Sequence, residues 1–226
     1  MVSILVEDEK ALNKPIGLYC LMNFNLIFIL IVWLLALVIH EVSHGWVAES
    51  LGDSTAKDLG RLSLNPLNHL DPIGSVLVPL FLFLSGSPVL IGWAKPVPVN
   101  PYNLRDKKYG MLKVALAGPL ANFLVAVFFA MVIRFLPLST LNLIAPLQII
   151  MTYNLLLGFF NLIPIPPLDG SNILFSLLPE KFSEIKNLLF KYGPFLLIFF
   201  VFFGFRYLSI FVSFVSYLLL GTKIIY

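Results

Sequence analysis

Charge is scarce in this sequence: Asp, Glu, Lys and Arg make up 12% of its 226 residues, against about 25% in a soluble domain. A chain so poor in charge and 59% hydrophobic cannot clothe a soluble surface, so it reads as an integral membrane protein. Cysteine is nearly absent as well. The lone Cys20 excludes an internal disulfide and any multi-cysteine metal site. Net charge is only +3 and no basic run exceeds Lys107-Lys108, which excludes nucleic acid as a partner. No repeat or low-complexity linker is visible. The opening MVSILVEDEKALNKP lacks the basic start and small-residue cleavage site of a signal peptide. Residues 1–22 are therefore expected to be a polar N-terminal leader and residues 23–226 a single membrane domain.

What is present is apolar runs, and their lengths set the architecture. A crossing needs roughly 20 residues, and runs of that length fall at about 23–51, 111–136, 143–166 and 194–220. The expectation is an all-α polytopic membrane protein with a core of three transmembrane helices and one further C-terminal span. Residues 73–93 are apolar but interrupted by Pro79 and the turn-like SGSP, so they read either as a crossing or as a re-entrant segment. The proline-punctuated 94–110 is extended by preference. Residues 180–191 place Phe182, Ile185, Leu188 and Leu189 on one helical face, as an interfacial helix does. The abundant phenylalanine is most simply lipid-facing surface and packing, and Arg206 is a lone cation within the last span.

The three histidines are more informative. His40 and His44 stand in VIHEVSHGW, directly after a run with no polar side chain from Leu26 to Ile39. Ionisable groups are costly in lipid and mark function there. Helical residues i and i+4 share a face, about 5–6 Å apart at Cβ, so the two imidazoles can meet one cation. Zinc suits them, and Glu41 is placed beside the open coordination position as general base without being a ligand. A third ligand is required. Most acidic residues lie in solvated loops, but Asp169, in FFNLIPIPPLDGSNIL, sits among apolar residues where prolines break the helix. A carboxylate there is either bound to something positive or caps the helix that follows.

This requirement also settles the topology. Lys and Arg distribute ten inside to four outside under both readings of 73–93, so the positive-inside rule ties. Asp169 and the histidines share one depth only if 73–93 is re-entrant. That puts the N-terminus outside and residues 94–110 and 170–192 inside. The 14 residues from Leu26 to Ile39 rise only about 21 Å, less than the hydrocarbon thickness of about 30 Å, so the site lies within the membrane.

HEVSHG at 40–45, AGPLAN at 117–122 and NLIPIPPLDG at 161–170 together resemble the site-2 protease family of intramembrane zinc metalloproteases, in its compact form without PDZ or CBS domains. The resemblance spans residues 23–51 and 111–172. It implies one Zn2+ per chain held by His40, His44 and Asp169, with Glu41 as catalytic acid/base. The expected activity is hydrolysis of peptide bonds within or near transmembrane segments of membrane-protein substrates. The expected setting is the lipid bilayer of a prokaryotic plasma membrane. Asn161, then Asn122, are candidates to bind substrate or stabilise the oxyanion, with interhelical hydrogen bonding as the alternative for both. His69 is a further candidate, as substrate contact or resting-state ligand, or as a loop fastening. The VPVNP stretch at 97–101, or the re-entrant segment before it, could offer an edge to an unwound substrate. The rival reading is a catalytically silent zinc-containing membrane binding or quality-control module.

Overall fold

A computed structural model describes residues 16–85, 93–135 and 141–221 of the chain. Most of the expected leader lies outside the described residues. The first helix, α1, runs Ile16–Ser50, and its apolar part qualifies as a span over Ile27–Ser50. A short turn of helix, α2 (Thr55–Asp58), and a 3-10 turn at Pro66–His69 follow. The segment from 73 then rises as a π-helical turn, Pro72–Leu77, and a helix, α3 (Val78–Leu84).

That segment is re-entrant. Its 13 described helical residues rise about 20 Å, less than a crossing needs. It also comes back to where it began. Trp93 N–H donates to Gly74 O at 3.1 Å, Ser75 Oγ donates to Trp93 O at 2.7 Å, and Lys95 N–H donates to His69 O at 2.8 Å. A single antiparallel bridge joins Leu70 to Ala94. The indole of Trp93 lies flat on Gly74, where a Cβ would come within 2.2 Å of the ring. Residues 86–92, with the GSP of SGSP, lie outside the described residues.

Two core helices follow, α4 (Gly110–Phe135) and α5 (Leu141–Asn161), then a short helix, α6 (Asp169–Leu177). The end of α5 falls at Asn161, earlier than the expected 166, because Pro164, Pro166 and Pro167 supply no N–H and clash with preceding carbonyls. The C-terminal region differs more. An interfacial helix ending before a separate span at Pro194 was expected, yet α7 (Ser183–Phe199), a π-helical turn at Phe200–Gly204 and α8 (Phe205–Leu220) form one run of 38 residues. Pro194 sits inside it, as Pro119 and Pro146 sit inside α4 and α5. Prolines are tolerated in lipid-facing helices because the freed backbone groups are satisfied again by local π or 3-10 adjustment.

Among the described residues, four helices are long and apolar enough to cross a membrane. α4 is central, packed against α1, α5, α6 and α8. Ala126, Ala130 and Ile133 of α4 bury against Ile144, Met151 and Leu155 of α5 and against Val212 and Leu220 of α8. Lipid gives helices no hydrophobic reason to associate, so close approach over small residues such as the alanines carries the packing. Leu124, Phe128, Phe195, Phe202 and Phe214 stay exposed, as lipid-facing side chains do. The chain is an integral membrane protein.

Candidate metal centre and the residues around it

At the inner part of this bundle α1 carries His40 and His44 on the face turned to α4 and α6. Their rings meet edge to face with centroids 4.7 Å apart, and both residues are buried, 3% and 7% exposed. Asp169 opens α6 and points back at them. Its Oδ2 lies 2.9 Å from His40 Nε2 and 3.2 Å from His44 Nε2. The ligand atoms of all three lie within 4.8 Å of one another, and they form the one such group among the described residues. Asp169 is not a cap. The residue before α6, Leu168, is extended, and no side chain caps this end.

Local sequence explains how Asp169 arrives there. The prolines end α5, and Leu168 N–H donates to Ile165 O while Ser171 N–H donates to Leu168 O, turning the chain sharply. Gly170 is needed at the turn because a Cβ would lie 2.2 Å from Leu162 O. Across the site, Gly118 of α4 faces the imidazoles. A Cβ there would be 2.5 Å from His44 Nε2 and 2.6 Å from His40 Cε1. The glycine of AGPLAN is the seat of both rings.

The donor set suits a cation. His44 Nδ1 donates to Val114 O at 2.7 Å; a backbone carbonyl can only accept, so Nε2 of the neutral ring carries a lone pair. His40 Nδ1 meets Asn122 Oδ1 at 2.7 Å, which gives the same result. Two lone pairs therefore face a carboxylate oxygen across about a hydrogen-bond distance, an arrangement that repels unless something positive sits among them. Two imidazoles and one carboxylate, with a fourth position left over, are a known ligand set for hydrolytic zinc.

Glu41 does not join the group. Its Oε2 accepts from Val97 N–H at 2.8 Å, so the stretch 97–100, ahead of the 3-10 turn at Pro101–Asn103, holds this carboxylate. That stretch is itself pinned at both ends. Arg61 Nη2 donates to Lys95 O at 2.8 Å. At the other end the buried Asp53 accepts from Asn100 N–H at 2.7 Å and from Asn103 Nδ2 at 3.0 Å, as well as from Thr55. Burial alone would raise the Asp53 carboxyl, but the donors from Thr55, Asn100 and Asn103 outweigh it and hold the group below the usual carboxylate range. The VPVNP edge expected for substrate thus has its first N–H committed to Glu41.

The remaining candidates separate clearly. Asn122 is fully buried; its Nδ2 donates to Ala36 O at 3.1 Å and Asn154 Oδ1 at 3.0 Å, and its Oδ1 is occupied by His40. Both amide protons are given within the bundle, as in the interhelical hydrogen bonding weighed as the alternative, and its place is behind His40. Asn161, at the end of α5, is partly buried and donates Nδ2 to Leu157 O at 3.0 Å. His69 is fully buried, its Nε2 donates to Ser63 O at 2.7 Å, and it lies outside the ligand group. It fastens the loop. Sequence reasoning missed Asn154, Asp53 and the carbonyl of Val114. Asn154 had a signal, as a polar side chain inside an apolar span; a backbone carbonyl has none.

Comparison with known proteins places this geometry in a lineage. The family model for peptidase family M50 matches residues 137–201, the region from α5 to α7 that contains Asp169. YwhC of Bacillus subtilis, named as a candidate zinc metalloprotease, is 36% identical over 160 residues, covering 67% of this chain and 69% of YwhC. Rip2 of Mycolicibacterium smegmatis, named likewise, is 33% identical over 150 residues, 64% of this chain and 55% of Rip2. The zinc metalloprotease MJ0392 of Methanocaldococcus jannaschii is 29% identical over 177 residues, 76% of this chain, which spans 41% of MJ0392. No solved structure matches. With its paired histidines, its carboxylate on the far side of a proline break and a relative matched over more than two thirds of its length, the chain belongs to peptidase family M50, the site-2 proteases.

Proposed function

We propose that this protein is a zinc-dependent endopeptidase that hydrolyses peptide bonds within or near transmembrane segments of membrane-protein substrates, in the plasma membrane of a prokaryote. One observation carries the reading: His40, His44 and Asp169 converge on one point inside an apolar bundle, with Glu41 one residue from the first of them. Zinc held by those three would act as a Lewis acid and bring the pKa of bound water down to about 7. Glu41 accepts a proton from the water that attacks the scissile carbonyl and returns it to the departing amine nitrogen. Val97 N–H holds the Glu41 carboxylate in a fixed position. Asn161 is the polar side chain left to meet substrate, at the end of α5 and eight residues before Asp169.

The test is cleavage of single-span membrane proteins co-reconstituted in detergent, with the cut mapped by mass spectrometry. A cut inside or at the edge of the apolar segment, abolished by a zinc chelator, supports the reading. A zinc-loaded protein that cuts no member of a varied panel favours the silent binding module instead.

A further inference from the structure

Asn154 lies in the middle of α5, 2% exposed, among leucines and phenylalanines. It touches neither Asp169 nor His44, and nothing about the metal group requires it. Yet it stands at the start of a hydrogen-bond chain whose direction is set at every step. Its Nδ2 donates to Ile150 O at 2.9 Å; a carbonyl only accepts, so the Oδ1 of Asn154 must be the atom facing Asn122. That Oδ1 accepts from Asn122 Nδ2 at 3.0 Å, and the same Nδ2 gives its other proton to Ala36 O at 3.1 Å. The Oδ1 of Asn122 is thereby turned to His40 Nδ1, 2.7 Å away. With the ring neutral, His40 holds its proton on Nδ1 and its lone pair on Nε2, the atom beside Asp169.

We propose that Asn154 is a positioning residue for His40, acting through Asn122 to keep the imidazole in the one tautomer that can ligate a metal. The inference rests on the zinc reading given above. Its physical content is a competition between two orientations of one amide. Flipped, Asn122 would present NH2 to His40 Nδ1, which would then have to carry its lone pair there and its proton on Nε2. Ala36 O opposes that flip with one bond and Asn154 with a second. Removing Asn154 leaves a buried amide proton without an acceptor and halves the resistance. Asparagine pairs between membrane helices are often adhesive only, so the test must tell adhesion from orientation.

Asn154→Leu, Asn122→Leu and the double variant, purified with the full chain in detergent, are titrated with zinc against a competing chelator. The histidine 15N resonances of the metal-free proteins are recorded beside them. The expected result is zinc binding about tenfold weaker in Asn154→Leu, at the lower end of what losing an outer hydrogen bond to a ligand costs. Added to Asn122→Leu, the same change should cost nothing more, because it acts through that residue. Metal-free wild type should show the His40 proton on Nδ1, and Asn154→Leu a mixture of tautomers. Unchanged zinc affinity and tautomer in Asn154→Leu, or an equal loss in both backgrounds, would overturn the proposal. If Asn154→Leu does not fold, Asn154→Asp takes its place. Its neutral carboxyl can still accept from Asn122 and donate to Ile150 O, so wild-type zinc affinity supports the relay and a tenfold loss contradicts it. A wild-type protein that binds no zinc but keeps the proton on Nδ1 would refute the zinc reading and leave the relay standing.

Discussion

Glu41→Gln lowers cleavage by about 10²–10⁴-fold, the usual range for a lost general acid or base, while bound zinc stays at the wild-type level. The two side chains have the same shape, and a glutamine Oε1 can still accept from Val97 N–H, which Glu41 Oε2 does at 2.8 Å. Packing is therefore preserved and only the proton acceptor is removed. Glu41 also contributes no atom to the His40, His44 and Asp169 group, so the metal has no reason to leave. The check is a cleavage time course and a zinc determination on the same preparation. Wild-type turnover in Glu41→Gln would mean that the proton goes elsewhere.

Gly118→Ala gives the second large effect, and it separates fold from site. In a helix interior alanine is favoured over glycine by about 1 kcal/mol, so helix propensity alone favours the change. The added methyl, however, would stand 2.5 Å from His44 Nε2 and 2.7 Å from His40 Nδ1. Neither ring can retreat freely, because His44 Nδ1 is held by Val114 O and His40 by Asn122. The rings must turn out of register with Asp169, and displacement of about 1 Å is enough to cost roughly 10²-fold in rate. That overpacking costs about 1–3 kcal/mol and offsets the propensity gain, so the expected protein folds with a melting temperature unchanged or modestly lower, retains little zinc and cleaves more slowly by about that factor or more. Retention of both zinc and activity would show that the imidazoles do not sit over Gly118.

Which of these features could be read from residues alone follows from where their physics is written. The spans and the HEVSH helix are matters of side-chain type and spacing, and α1 carries the two histidines on one face as the i, i+4 rule requires. Asp169 was legible because a carboxylate in an apolar, proline-broken stretch is expensive. The return of 73–93 was legible through the same demand for one depth, and the bonds between Gly74, Ser75 and Trp93 now close it. The C-terminal boundary was not. Pro194 would end a helix in water, but here the helix continues through it to Leu220. For Asn122 sequence left two readings open, substrate or oxyanion donor and interhelical hydrogen bonding. Its chemistry as a donor is visible in sequence, but that both its protons are already given to Ala36 O and Asn154 is a property of the packed bundle. The bond from Val97 N–H to Glu41, in the stretch offered as a substrate edge, is likewise a property of the packed structure.

The central claim is that one metal ion is shared by His40, His44 and Asp169. The most direct measurement is zinc content per chain, by elemental analysis after chelator-free purification, for wild type beside Asp169→Ala. The account predicts one zinc per chain in wild type and its loss from a folded Asp169→Ala protein. Full zinc in Asp169→Ala would contradict the account and move the third ligand elsewhere, with His69 the first residue to test.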